Sequence, residues 1–128
     1  MEKRRADVGF GSVLLTQFTG NDCMRTFKKV QVKSGASVTI PCLYDQKYKN
    51  NVKYWCKGNQ QEPCSPMVST DSPQRKDGVS ITDVPDLLLI NVTMRNLREK
   101  DAGTYWCAVK IDGDSNESTH LNLTVTPG

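Results

Sequence analysis

Five cysteines carry the most restrictive chemistry in this 128-residue sequence: Cys23, Cys42, Cys56, Cys64 and Cys107. No two of them are spaced C-x-x-C, so the sequence does not predict a zinc ribbon or a thioredoxin-like redox site. The single histidine, His120, excludes zinc sites built on several histidines and is better interpreted as a surface residue than as a catalytic one. Disulfide formation is therefore the favoured chemistry, and the odd count leaves one thiol over.

Three N-x-S/T sequons point to the same oxidising compartment. They begin at Asn91, Asn116 and Asn122. A single sequon arises often by chance, but three of them together with several cysteines favour a secreted or extracellular setting. Asn91 and Asn122 alternate out of phase with the apolar residues around them, so both should face solvent and accept glycans. Asn116 lies in a loop, where a glycan would obstruct a partner.

Charge and motifs exclude several classes of function. The net charge is +3, from 17 basic and 14 acidic residues, without the high basicity of a dedicated nucleic-acid-binding protein. The sequence contains no G-x-S-x-G, no phosphate-binding loop and no paired histidines, so we predict no enzyme and no cofactor. The longest strongly apolar run is Leu87–Ile90, whereas about 20 residues are needed to span a bilayer. A membrane anchor would have to lie outside this sequence.

Short segments in which apolar and polar residues alternate follow one another from Phe27 onward. They are Val30–Val32, Ser37–Cys42, Asn51–Lys57, Val79–Ile81, Leu88–Met94, Thr104–Ile111 and Leu121–Val125. Alternation with turns between the segments predicts the strands of a β-sandwich or barrel. We expect no helix longer than a turn or two, and one helical turn at Leu97–Ala102. The length fits one domain, which we place at residues 27–128.

Residues 1–26 do not share this pattern. Met1–Arg5 is charged, and Val8–Thr16 is mildly apolar, but it is short and no small-residue cleavage site follows it. We interpret residues 1–26 as a leader or flexible N-terminal extension. The alternatives are a degraded signal peptide and an extra edge strand at Ser12–Phe18. Cys23 falls in this segment, where it would remain unbridged or form a disulfide to another chain.

One tryptophan and one tyrosine stand at informative distances from two of the cysteines. Trp55 lies 13 residues after Cys42. Tyr105 precedes Cys107 by two residues within D-A-G-T-Y-W-C, which begins at Asp101. Together these spacings resemble the immunoglobulin superfamily, and the 64 residues between the cysteines leave room for the additional strands of the variable type.

This resemblance implies an all-β fold: an immunoglobulin variable-type (V-set) antiparallel β-sandwich with an inter-sheet disulfide between Cys42 and Cys107. Trp55 would pack beside the bridge, and the Tyr105 hydroxyl would bond the backbone at the corner that contains Asp101. Closing a loop of this size is worth about 4 kcal/mol in the chain-entropy model.

The string V-K-Y-W-C-K-G at residues 52–58, followed by Cys64, is similar to the polymeric immunoglobulin receptor and the leukocyte mono-immunoglobulin-like receptors. The similarity implies a second disulfide between Cys56 and Cys64. Strand parity agrees with it, because Cys56 points outward if Trp55 points inward.

The sequence departs from this receptor group in two places. Gly78 replaces the basic residue usually found before the fourth strand, so Arg75 or Lys76 would serve as the partner of Asp101. The last strand lacks the glycine bulge of antibody variable domains, which argues against antibody-style pairing.

The loops at residues 44–50 and 112–117 should meet at one end of the sandwich, where variable domains bind. We predict ligand contacts there and on the adjacent sheet face at Lys47, Tyr48, Lys49, Trp106, Asp112 and Asp114. Tyr54 should be exposed beside Trp106, unless additional strands or glycans cover them. Ordinary solvated turns are one alternative for the loops. A calcium site is another, built from the oxygens of Asp112, Asp114, Asn116 and Glu117.

The resemblance implies the extracellular ligand-binding domain of an immune cell-surface receptor, on the outer side of the plasma membrane or secreted. Its partner would be a protein, antibody included, or a phospholipid head group, and the domain itself would be monomeric. The alternatives are an antibody-binding domain of the polymeric-immunoglobulin-receptor kind and homophilic adhesion through the sheet that carries Trp106.

Overall fold

The computed structural model describes residues 14–15, 18–20, 23–59, 64, 66–72, 78–113 and 116–128. The strands in this part of the chain are β1 (Leu14–Leu15), β2 (Phe18–Gly20), β3 (Met24–Phe27), β4 (Lys29–Lys33), β5 (Val38–Tyr44), β6 (Lys53–Lys57), β7 (Pro66–Ser69), β8 (Val79–Val84), β9 (Leu89–Met94), β10 (Gly103–Val109) and β11 (Glu117–Thr126). Its helical segments are single 3₁₀ turns at Gln46–Tyr48, Pro85–Leu87 and Glu99–Asp101. No helix in these residues has the length and hydrophobicity needed to cross a membrane.

The strands form two sheets that face each other. The front sheet has the order β1-β4-β11-β10-β6-β7, and the back sheet has the order β2-β3-β5-β9-β8. Neighbouring strands are antiparallel except β4 and β11, which run parallel. A disulfide joins Cys42 on β5 to Cys107 on β10, so it connects the two sheets. The predicted V-set sandwich with an inter-sheet bridge is confirmed.

Alternating side chains place one face of each strand in the core. Along β11, Leu121, Leu123 and Val125 are buried, whereas the residues between them are exposed. On β5, Val38, Ile40 and Cys42 are buried, and the residues between them are half-buried. Because each sheet buries one face against the other, the period-two pattern of the sequence is a direct record of which residues form the core.

Trp55 and Tyr105 form the centre of the core, beside the inter-sheet bridge. Trp55 is fully buried, pairs in register with Cys107, and stacks on Tyr105 with ring centroids 5.5 Å apart. The Tyr105 hydroxyl donates a hydrogen bond to the Asp101 carbonyl at 2.6 Å, as predicted. The Trp55 Nε1 atom has no hydrogen-bond partner within the described residues, so the indole contacts these residues by packing.

A second, smaller apolar cluster lies on the outer face of the front sheet. The structure contains the Cys56–Cys64 disulfide there, and Tyr54, Cys56 and Ala108 are buried beneath Cys64 and Trp106. The expectation that Tyr54 is exposed is therefore wrong. Only 5% of Tyr54 is exposed, and β7 pairs with β6 beside it. This agrees with the alternative in which an additional strand covers this face.

The sheets begin before Phe27. β1 pairs with β4, β2 pairs with β3, and β3 pairs with β5, with Met24 and Phe27 buried in the core. The predicted boundary between residues 26 and 27 therefore falls inside β3. The edge-strand alternative at Ser12–Phe18 overlaps β1, and residues 1–13 lie outside the described part.

Replacing the two tryptophans should separate the core from the sheet surface. Trp55→Ala should lower the free energy of unfolding by about 3–5 kcal/mol, because it removes a fully buried aromatic side chain. Trp106→Ala should cost much less, since that ring is only partly buried. Urea titrations of both variants measure the difference, and equal losses would contradict the inward and outward faces described above.

Candidate ligand-binding surface

The loop between β5 and β6, residues 45–52, is folded by its own side chains. The Asp45 carboxylate accepts a hydrogen bond from the Lys47 backbone nitrogen at 3.0 Å and begins the 3₁₀ turn. Tyr48, at the end of that turn, is buried, whereas Lys47 and Lys49 on either side of it are exposed. The loop therefore points one aromatic ring inward and two ammonium groups outward.

The prediction that Tyr48 contacts a ligand is wrong, because its ring is buried in the core. Its hydroxyl donates to the Cys23 sulfur at 3.6 Å. That hydrogen bond, together with burial, raises the pKa of Tyr48 to about 12. The Lys47 ammonium lies 5.3 Å from the ring centroid. Tyr48 thus anchors the loop to the core and leaves both lysines exposed to solvent.

A buried ion pair beneath the loop connects the two sheets. Lys53 on β6 is fully buried, and its ammonium donates to the Asp83 carboxylate on β8 at 2.9 Å. The Tyr44 hydroxyl donates to the other oxygen of Asp83 at 2.6 Å, and the Lys53 ammonium lies 4.0 Å from the Tyr44 ring centroid. Burial and the Asp83 contact raise the pKa of Tyr44. Each polar group in this cluster therefore has a partner, which burial requires.

Lys53 also holds the loop directly. Its ammonium donates to the Lys49 carbonyl at 2.9 Å. We did not identify Lys53 from the sequence, but strand parity contains the signal. Lys53 is two residues before Trp55 and therefore inward, and Asp83 is two residues after Ile81, which is also inward.

The loop between β10 and β11, residues 110–116, is attached to the first loop. The Lys110 nitrogen donates to the Val52 carbonyl at 2.8 Å, and the Asn51 side-chain amide donates to the Lys110 carbonyl at 3.0 Å. Asn116 closes the loop, because its Oδ1 accepts from the Ile111 nitrogen at 3.1 Å. The two loops therefore form one continuous end of the sandwich, as predicted.

Asp45 and Lys110 are exposed on this end, and so are three predicted ligand contacts, which we call the loop surface: Lys47, Lys49 and Asp112. Asp112 lies in a turn with Gly113, whose φ of +72° favours glycine. Within the described residues, none of these three charges forms an ion pair. Asp114, the remaining acidic site residue of the prediction, lies outside the described residues.

Trp106 does not adjoin the loop surface. It pairs in register with Cys56 and His120, whereas the loop end of these strands is the pair Val109 and Lys53. Its indole nitrogen donates to the Gly58 carbonyl at 2.9 Å, and its ring is 4.7 Å from that of His120. A binding role for Trp106 stays a prediction, but it would belong to a separate surface.

The remaining predicted residues fall in different places. Asn122 is exposed on β11, and Asn91 is half-buried on β9, in line with the expected alternation. Their modification, and that of Asn116, stays a prediction. The Asp101 carboxylate accepts from the Arg98 nitrogen at 2.8 Å. Its expected partners, Arg75 and Lys76, lie outside the described residues.

The part of the chain that the structure describes contains no cluster of side chains that could bind a metal ion. No three histidine, cysteine, aspartate or glutamate side chains come together there. The calcium alternative depends on Asp114, which is not among these residues, and so stays a prediction.

Comparison with known proteins agrees with this geometry. The profile of the immunoglobulin V-set domain matches residues 26–126. The chain belongs to the immunoglobulin V-set family. Its relatives include human CMRF35-like molecule 2, 42% identical over 80 residues, which are 60% of this chain and 39% of that protein. They also include rat CMRF35-like molecule 1, 33% identical over 86% of this chain and 34% of that protein. The chain spans less than half of these relatives.

Two solved structures support the finer resemblance. The ectodomain of the teleost fish polymeric immunoglobulin receptor superposes with a TM-score of 0.70 at 32% identity, covering 85% of this V-set chain and 50% of that one. The NK cell receptor NKp44 superposes with a TM-score of 0.67 at 30% identity, covering 77% of this chain and 97% of that one. The similarity to polymeric-immunoglobulin-receptor and leukocyte-receptor domains is confirmed.

Breaking the buried ion pair should have asymmetric effects. Asp83→Ala should cost about 3–5 kcal/mol, because it leaves a fully buried ammonium without a counter-charge. Lys53→Met should cost less, since Asp83 keeps the Tyr44 hydrogen bond and partial contact with water. The double variant should lose less than the sum of the two, because it leaves no buried ammonium without a counter-charge. Urea unfolding of the three variants tests this, and a larger loss for Lys53→Met would contradict it.

Alkaline pH should destabilise the domain through its buried tyrosines. The pKa of Tyr105 is raised to about 12 by burial and then by the charge of Asp101, and that of Tyr48 is also raised to about 12. Between the ordinary value of 10 and about 12, the folded state keeps protons that the unfolded state loses. The free energy of unfolding is therefore unaffected by this linkage below pH 10 and falls as pH rises through this window.

Urea titrations across the alkaline range measure this linkage, with Tyr105→Phe as the matched variant. Removing one of the shifted hydroxyls should make the decline with pH shallower, although the variant begins from a lower stability. An identical slope in both proteins would show that Tyr105 does not contribute.

Proposed function

We propose that this V-set domain is the extracellular ligand-binding domain of an immune cell-surface receptor and that it binds charged ligands with its loop surface. The observation that carries the proposal is the pair of exposed lysines at a rigidly supported tip. Lys47 and Lys49 flank a buried tyrosine, and the carbonyl of Lys49 is held by the Lys53 ammonium. Within the described residues, neither lysine forms an ion pair.

Charge defines the ligand class. Two ammonium groups suit a phosphate or carboxylate, and the neighbouring Asp112 suits an amine or other cationic group. A phospholipid head group and a polar protein surface both offer this combination. Opposite charges on one surface would orient such a partner and speed its encounter.

Rigidity favours binding over an ordinary solvated turn. The loop surface is fixed by the Asp45 cap, by the buried Tyr48 ring and by backbone hydrogen bonds between the two loops. A preorganised surface loses little conformational entropy when its ligand binds. The relatives support a receptor role, because NKp44 is described as an NK cell receptor and a triggering partner in natural cytotoxicity.

Antibody binding is the second candidate. The likeness to the ectodomain of a polymeric immunoglobulin receptor favours it. It uses the same loop surface against a protein partner, so the two candidates differ in the ligand and not in the site.

The loop lysines should be needed for binding but not for folding. Replacing Lys47 and Lys49 together by Ala should weaken binding by about a hundredfold or more, since each lost charge-assisted contact is worth roughly 1.5–3 kcal/mol. The melting temperature should not change, because both side chains are exposed. Liposomes with and without anionic lipid, and polymeric antibody, are the ligands for a surface-plasmon-resonance measurement.

A matched control removes two lysines elsewhere. Lys33 and Lys100 are exposed at the opposite end of the sandwich, so Lys33→Ala with Lys100→Ala makes the same change in net charge. Binding should survive in this control and should weaken in both proteins as salt rises. Equal losses in the control and the loop variant would show a non-specific charge effect and would reject the proposed site.

A further inference from the structure

The outer face of the front sheet carries an aromatic pair, the half-buried Trp106 and the exposed His120. The two residues pair in register on β10 and β11, and their ring centroids are 4.7 Å apart. Trp106 packs against the small cluster around Tyr54.

Asn122 lies beside the aromatic pair on the same face. It follows His120 by two residues on β11, so both side chains point outward. It pairs with Thr104, whose hydroxyl donates to the Asn122 Oδ1 atom at 3.0 Å, and Trp106 is therefore its diagonal neighbour. Diagonal neighbours on one face are separated by about 7–8 Å, which a sugar attached to the amide would span.

The amide of Asn122 is presented for modification. Its oxygen is oriented by Thr104, whereas its Nδ2 atom donates to no other group among the described residues. Thr124, the hydroxyl residue of the sequon, is also exposed on β11.

We propose that Asn122 carries an N-linked glycan whose first sugar lies on the Trp106–His120 pair and covers it. In this reaction the Asn122 Nδ2 atom attacks C1 of an oligosaccharide carried on a polyprenyl pyrophosphate. A C1–N bond forms, the bond from C1 to the pyrophosphate oxygen breaks, and the amide releases one proton. The Oδ1 atom is not consumed, so it continues to accept from Thr104.

Aromatic rings are suitable supports for a sugar. The face of a ring is electron-rich and attracts the slightly positive C–H groups on one side of a pyranose. The same contact removes apolar surface from water. A glycan held in this way would screen the outer face of the front sheet and leave the loop surface open.

The other two sequons lack this arrangement. The Asn116 Nδ2 atom donates to the buried Tyr54 hydroxyl at 2.8 Å, and its Oδ1 accepts from Ile111, so this amide forms part of the loop closure. Asn91 is half-buried on β9, which belongs to the back sheet. Asn122 is thus the sequon that faces the aromatic pair.

The glycan also bears on one alternative function. Homophilic adhesion through the front sheet would need the aromatic pair to be bare, because two sheets approach to about 10 Å when they pack face to face. A glycan between them would prevent that approach.

The experiment compares Thr124→Ala, which removes the sequon, with Thr124→Ser, which keeps it. Both leave Asn122 and Thr104 in place and are secreted from cultured animal cells. Peptide mass spectrometry, with and without enzymatic glycan release, should find the glycan on Asn122 in Thr124→Ser and not in Thr124→Ala. Acrylamide quenching of tryptophan fluorescence reports mainly Trp106, since Trp55 is fully buried.

We expect quenching to be about twofold weaker in the glycosylated protein, because the sugar covers one ring face. An unmodified Asn122 in Thr124→Ser would overturn the proposal, and so would equal quenching in the two proteins. If Thr124→Ala is not secreted, complete enzymatic removal of the glycan from folded Thr124→Ser supplies the bare protein for the same comparison.

Discussion

The alternation of side chains along β6 is the constraint on which most of this structure depends. Trp55 faces the core beside the inter-sheet disulfide, and Lys53, two residues earlier, faces the same way. Tyr54 and Cys56 face outward and form the second cluster under the Cys64 bridge. One short strand thus places the central tryptophan, a buried cation and a surface disulfide, and a shift of one residue would exchange all of them.

The buried cation gives the sandwich a polar cross-link as well as a covalent one. Cys42–Cys107 and Lys53–Asp83 both connect the front sheet to the back sheet, but they act differently. The disulfide stabilises chiefly by restricting the unfolded chain. The ion pair contributes little net stability, because desolvation offsets most of its attraction. A buried ammonium is nevertheless tolerated only where a counter-charge contacts it. The pair therefore connects β6 to β8, and through the Lys53–Lys49 hydrogen bond it also positions the loop between β5 and β6.

The fold followed from the sequence because its decisive residues act through fixed spacings. Trp55, Tyr105 and the two core cysteines have their places in any sandwich of this type, so position along the chain was enough to predict them. The predictions that were wrong concern side chains whose burial depends on which other segments cover them, because strand alternation gives only the direction of a side chain. Tyr54 points outward as expected, yet β7 and Trp106 cover it. Tyr48 belongs to an exposed loop, yet a 3₁₀ turn rotates it onto the core near Cys23. Contacts of this kind depend on distant segments and leave no periodic trace.

The bond from the Lys53 ammonium to the Lys49 carbonyl has a consequence for how such domains diverge. It fixes the loop through a backbone oxygen, which every residue type possesses, and not through a side chain. Any amino acid with compatible backbone angles can therefore replace Lys49, or Lys47 two residues before it, without loss of the hydrogen bond to Lys53. The tip of the loop is thus open to mutation while its scaffold stays constant. Duplicated copies of such a gene can acquire different recognition chemistries without first passing through an unstable fold.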